Sequence, residues 1–174
     1  MSRAEMVDYC ELEQFLKDKE YRKSDELTAK LMLKVANREK EGWLNNESIK
    51  ALLCEDLHKI DQLWIYHSNR KFGFSIQKKL WLECGGEINK YSLDYEVWKK
   101  FAAKVGLYHP QNNEWRTYTE FMKDTENAQN ALPASLPSSW WWVERRRVCR
   151  SSVQDLFSRI ATCELQQISN TAQY

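Results

Sequence analysis

The chain has 174 residues, long enough for one domain with its own core, and 26 Lys+Arg against 25 Asp+Glu leave a formal charge of +1. That balance offers no general attraction to nucleic acid, which is therefore not an expected partner. Five scattered cysteines (Cys10, Cys54, Cys84, Cys149, Cys163) show no CxxC or Cys/His spacing, so neither a disulfide framework nor a metal site is expected, and a reducing, intracellular compartment fits.

The first residues, MSRAEMVDYCELEQF, carry acids where a secretory segment would be apolar. No run approaches the roughly 18 apolar residues of a membrane span, so a soluble protein is expected. Tyr9, Leu12, Phe15 and Leu16 make a first amphipathic stripe, which runs into the charged KDKEYRK. Ser24 suits an N-cap for a second helix, although Tyr21 could already be helical. Leu27, Leu31 and Val35, with Met32 and Leu33, form its apolar side, and Gly42 is expected to stop it. Asn45 or Asn46 then caps a short helix containing Ile49, Leu52 and Leu53.

DLHKIDQLWIYHSN (56–69) carries the strongest pattern, with Leu57, Ile60, Leu63, Trp64 and His67 on one face. Asp56 suits its N-cap and Asp61 a bond to a neighbouring helix. After FGFS (72–75) a helix resumes with Ile76, Leu80 and Trp81, and Gly85-Gly86 ends it. A helix at about 94–104 carries Tyr95, Trp98, Phe101 and Ala102, with Gly106 closing it. No period-two strand appears, so the predicted fold class is all-α, a compact multi-helix single domain.

From Leu107 to Trp142 the helical periodicity fades while apolar content stays high. This stretch holds all three prolines and four of the eight tryptophans, which predicts long aromatic-rich loops covering something apolar. The tryptophans leave two readings open, a Trp-rich core and an aromatic pocket for a large planar ligand. Residues 143–174 read as a basic amphipathic helical tail. Arg145, Arg146, Arg147 and Arg150 lead into a stripe of Val153, Leu156, Phe157, Ile160 and Ile168. The tail could dock on the core, bind a partner or touch a membrane surface. The three histidines, His58, His67 and His109, fall in no catalytic motif, and no glycine-rich phosphate loop or GxSxG is present. No catalytic or metal-ligating residue is expected, and an enzyme is not the expected class.

One stretch goes beyond generic patterning. DLHKIDQLWIYHSNRKFGFSIQKKLWLECGG (56–86) resembles the signature of the genomes-uncoupled-four family, the tetrapyrrole-binding regulators of magnesium chelatase. YRKSDELTAKLML (21–33) and VWKKFAAKVGLY (97–108) are similar to further segments of that family, and the resemblance covers roughly 7–142. It implies a cupped-hand helical core domain over 7–142, followed by the tail. The implied ligand is protoporphyrin IX or Mg-protoporphyrin IX. The implied role is non-enzymatic stimulation of magnesium chelatase in chlorophyll biosynthesis, by contact with its large, porphyrin-handling subunit.

On the same resemblance the palm is bounded by Leu107–Phe121 and Ala131–Pro137. That makes Leu107, Trp115, Tyr118, Phe121, Leu132 and Leu136 its apolar walls. Arg70, Lys71 and Arg116 are candidate propionate partners, and His109, Asn112 or Asn113 candidate neighbours of a chelated magnesium. Of Phe72 and Phe74, one is expected to face the core and the other the palm, placing the FGFS corner beside the ligand. Leu107 stands where the family has Trp, and 131–137 lacks the family's Gly and His, so a linear bilin or a sensor role stays open. A monomer is expected, in a cyanobacterial cytoplasm or plastid stroma of a photosynthetic organism, with peripheral thylakoid contact through the tail as an option.

Overall fold

Apolar residues spaced three and four apart become helices in the computed structural model, which describes residues 7–88, 94–127, 130–138, 142–143, 147–148 and 150–171. The helices are α1 (Cys10–Lys17), α2 (Tyr21–Val35), α3 (Asn46–Ala51), α4 (Cys54–His67), α5 (Phe74–Glu83), α6 (Tyr95–Val105), α7 (Tyr118–Thr125) and α8 (Arg150–Thr171). Two antiparallel ladders of two residues per strand accompany them: β1 (Tyr108–His109) with β2 (Glu114–Trp115), and β3 (Trp142–Val143) with β4 (Arg147–Val148). The fold is thus mostly helical, as the periodicity predicts.

Several boundaries differ from the sequence reading, each for a local reason. α2 starts at Tyr21, and Ser24 lies buried within it, its hydroxyl donating to the Glu20 carbonyl at 3.0 Å. Asn37, not Gly42, ends that helix. Its positive φ of 52° lets Arg38 N–H reach the Leu33 carbonyl at 2.8 Å and its own N–H the Lys34 carbonyl at 3.0 Å. Asn45 caps α3 through a reciprocal box with Ser48. Leu53, not Asp56, occupies the N-cap of α4; Asp56 sits in the first turn and accepts from the Tyr9 hydroxyl at 2.5 Å. Burial, reinforced by that bond, pushes the Tyr9 hydroxyl pKa up.

α7 falls inside the stretch expected to be irregular. Its signature is Thr117-x-x-Glu120, a capping box in which each side chain takes the other's backbone N–H.

Three tryptophans, Trp64, Trp81 and Trp98, serve the core. Trp64 packs with Tyr21 and Phe72, and Trp81 with Phe101 and Phe157, at ring separations of 5.2–6.3 Å. The second group joins α8 to α5 and α6. α8 docks on α3, α4 and α5, with Val153, Leu156 and Phe157 buried. Arg159 donates twice to the Leu52 carbonyl, at 2.9 and 2.6 Å, and Lys78 pairs with Glu164. These apolar residues are therefore spent on the core and cannot also coat a membrane. Arg145, Arg146 and the side chains of Arg147, Arg150 and Ile168 lie outside the described residues.

A disulfide joins Cys54 of α4 to Cys163 of α8, with Cα atoms 5.2 Å apart. This corrects the expectation of unpaired cysteines. The partners are 109 positions apart, and their spacing carries no mark of the pairing. No described helix is long and apolar enough to cross a membrane.

Candidate functional site

The C-terminal end of α6 starts the site. Gly106 takes a left-handed conformation (φ 87°), and the chain turns back so that Leu107 N–H reaches the Ala102 carbonyl at 2.8 Å. A Cβ at Gly106 would stand 3.3 Å from Leu132 Cδ1, so glycine both makes the turn and lets that leucine close in. The β1–β2 hairpin follows, then α7, and 130–132 returns opposite them.

Between these segments lies a cleft of about 510 Å³, within the range of small-molecule sites. Val105, Phe121, Ala131 and Leu132 give it apolar walls. Tyr108, His109, Gln111, Arg116, Asp124, Thr125 and Asn130 add polar edges. Arg116 is tightly held: Nη2 donates to Asp124 Oδ2 at 2.6 Å and to the Glu120 carbonyl, and Nη1 to the Gly106 carbonyl at 3.3 Å. Beside the cleft, Trp115 lies nearly parallel to Trp98 (7°, centroids 6.1 Å) and 4.8 Å from the Tyr108 ring. The Tyr108 hydroxyl donates to Asn113 Oδ1 at 2.7 Å.

The 130–138 wall is anchored from behind. Ala134 N–H donates to the Lys71 carbonyl at 2.9 Å, Gly73 N–H to the Leu136 carbonyl at 3.0 Å, and Gln77 Nε2 to the Pro137 carbonyl at 2.9 Å. The fully buried Asp25 carboxylate accepts from Ser138 N–H, from the Ser138 hydroxyl at 2.8 Å and from the Tyr118 hydroxyl at 3.1 Å. The segment that opens α5 therefore grips the loop that forms one wall of the cleft. Gly73 is needed there: its φ is 142°, and a Cβ would meet Asp61 Oδ1 at 2.8 Å and Ile65 Cγ1 at 2.9 Å. Asp61 in turn accepts from Ser75 N–H at 3.0 Å at the start of α5, the inter-helix bond the sequence suggested. Burial raises its pKa, against the lowering effect of that bond.

Of the residues named from sequence, Arg116, Phe121, Leu132 and His109 line the cleft and Trp115 adjoins it. Leu107, Tyr118 and Leu136 are buried rather than lining it. Phe72 and Phe74 are both fully buried, so the corner presents neither ring to the cleft. Arg70 is exposed just past α4, Lys71 Nζ rests 5.7 Å from the Phe72 ring centroid, Asn112 is exposed, and Asn113 holds Tyr108. The sequence reading missed Val105, Tyr108, Asp124, Thr125 and Asn130. The 118-121-122-125 spacing of α7 was the signal available for part of that set.

A family model described as GUN4-like matches residues 2–147. The Ycf53-like protein of Synechocystis sp. is 31% identical over 136 residues, 76% of this chain and 53% of that protein. The "Tetrapyrrole-binding protein, chloroplastic" of Arabidopsis thaliana is 30% identical over 115 residues, 63% of this chain and 43% of that protein. The chain spans about half the length of the curated relatives it matches. Among solved structures, the ligand-free structure of Arabidopsis thaliana GUN4 has a TM-score of 0.63 at 24% identity, covering 91% of this chain and 95% of that one. The structure of GUN4 from Chlamydomonas reinhardtii has the same score and identity, covering 92% of each. The shared property at that identity is the fold.

Proposed function

The chain belongs to the GUN4-like family, and from that premise we propose that it is a tetrapyrrole-binding regulatory protein whose ligand enters the cleft between α6, the β1–β2 hairpin, α7 and 130–132. The observation that carries this reading is the cleft itself, about 510 Å³ with apolar walls and a polar edge. A tetrapyrrole is a wide apolar body with carboxylates on one edge, and that is the surface such walls complement. The name of the Arabidopsis relative points the same way.

In its finer form, residues 7–142 bind protoporphyrin IX or Mg-protoporphyrin IX and stimulate magnesium chelatase through its large subunit, with no catalysis by the chain itself. The setting is chlorophyll biosynthesis, in a cyanobacterial cytoplasm or a plastid stroma. A linear bilin is the second reading. It is favoured by departures from the family pattern in the two segments that flank the cleft, Leu107 in place of Trp and a 131–137 loop without the family's Gly and His.

The test is a parallel titration with protoporphyrin IX, its magnesium form and a bilin, followed by Trp quenching and ligand absorption. Leu132, at 44% exposure, can be changed without opening the core. Leu132→Asp is expected to weaken binding by about tenfold or more by placing a charge on an apolar wall. No binding of any of the three would overturn the proposal. A chelatase assay with and without the chain addresses the finer form.

A further inference from the structure

Arg116 brings little free charge to the cleft. Its guanidinium is bound to Asp124 and to two backbone carbonyls, and Asp124 is itself a lining residue. The pair is close to neutral, so a ligand with an ionised edge needs a cation from elsewhere.

Lys99 fits that need. It stands on α6 one turn before the lining residue Ala103, at the four-residue spacing that places both on one face. Its Nζ lies 5.2 Å from the Tyr95 ring centroid and 5.6 Å from that of Tyr108. Tyr108 links the lysine to the cleft, since it is a lining residue and its ring also lies beneath the ammonium. That ring is itself fixed, by Asn113 at its hydroxyl and by Trp115 at its face.

Among the described residues, no carboxylate stands within ion-pair distance of Lys99. Lys100 and Lys104 on the same helix lie near Cys84, where their charges oppose the rise that burial gives its thiol pKa. Lys99 is thus a cation held beside two aromatic faces, with no counter-charge among the described residues. Two aromatic contacts are weaker than a hydrogen-bonded carboxylate, so the ammonium keeps its capacity to take one.

We propose that Lys99 is the anion-recognising residue of this site, receiving a carboxylate on the edge of a ligand whose planar body lies in the cleft against Tyr108. This rests on the tetrapyrrole reading of the cleft and makes Lys99 the determinant for acidic over neutral tetrapyrroles.

The test uses the full chain, unchanged and as Lys99→Met and Lys99→Arg. Each is titrated with deuteroporphyrin IX, a dicarboxylate, and with its uncharged bis-amide. Lys99→Met is expected to weaken dicarboxylate binding about tenfold and to leave the bis-amide within about twofold, while Lys99→Arg restores most of the loss. Lys99→Met should also reduce the salt dependence of dicarboxylate binding. Equal weakening of both ligands would show that Lys99 only supports the aromatic frame and would overturn the inference, as would no change for either. If the unchanged chain binds neither compound, the tetrapyrrole reading falls, and this inference with it.

Discussion

Breaking the Cys54–Cys163 bond, by paired Cys→Ser replacement or by reduction, is expected to lower global stability without releasing α8. The link closes a loop between positions 109 apart. Loop-closure entropy for that length is about 16 cal/mol/K, or about 4.8 kcal/mol at 25 °C, as an upper figure. In the folded state α8 retains other holds. Leu156 and Phe157 are fully buried, each contributing about 1.5–3 kcal/mol, and Arg159 keeps its bonds to the Leu52 carbonyl. The loss therefore falls on the unfolded ensemble, which expands when the link is gone.

Urea unfolding of the oxidised and reduced chains should show a decrease of about 3–5 kcal/mol and a larger m-value, because the unlinked chain exposes more surface. Limited proteolysis under native conditions should leave residues 150–171 as protected as before. A stability change below about 1 kcal/mol would refute the reasoning, as would a non-reducing peptide map with both thiols free.

Gly73→Ala forces a side chain into a left-handed backbone at 2.8 Å from Asp61 Oδ1. A loss of about 3 kcal/mol in denaturant unfolding is expected, with weaker ligand binding as the 131–136 wall loosens; wild-type stability would contradict the stated need for glycine. Asp61→Asn tests a linkage. The folded-state pKa of Asp61 lies above the ordinary 3.8, so the folded state binds more protons than the unfolded one just above that value. Wild-type stability relative to Asp61→Asn should then be greatest at low pH and decline as pH rises through the folded pKa, read as Tm at a series of pH values. An opposite slope would mean that the Ser75 bond outweighs burial. Trp115→Ala should weaken tetrapyrrole affinity by about 1–3 kcal/mol through loss of the ring beside Tyr108, and an unchanged Kd would show that the ligand does not lean on the hairpin.

The parts legible in advance share a physical basis: they are encoded within a few residues of chain. The α4 and α6 stripes, an asparagine cap on α3 and the glycine stops at Gly85 and Gly106 depend on side-chain period and on backbone conformations that particular residues favour. Asp61 was expected to bond a neighbouring helix, and it does so at Ser75. α7 was missed because eight residues make barely two turns and sit among Trp, Asn and Pro, which dilute the period, although its capping box was readable.

The FGFS corner marks the division. Sequence alone determined that a sharp joint would lie between two helices, with a glycine at its centre and an all-α fold around it. Only the tertiary structure decided what the joint does. Both phenylalanines go to the core, while the backbone of Lys71 and Gly73 binds a loop more than 60 residues away that walls the cleft. The same holds for Asp25 with Ser138, for Cys54 with Cys163, and for Arg116, whose charge Asp124 absorbs. Such pairings depend on how helices stack, and stacking follows from the summed burial of many side chains. Local spacing carries no record of it.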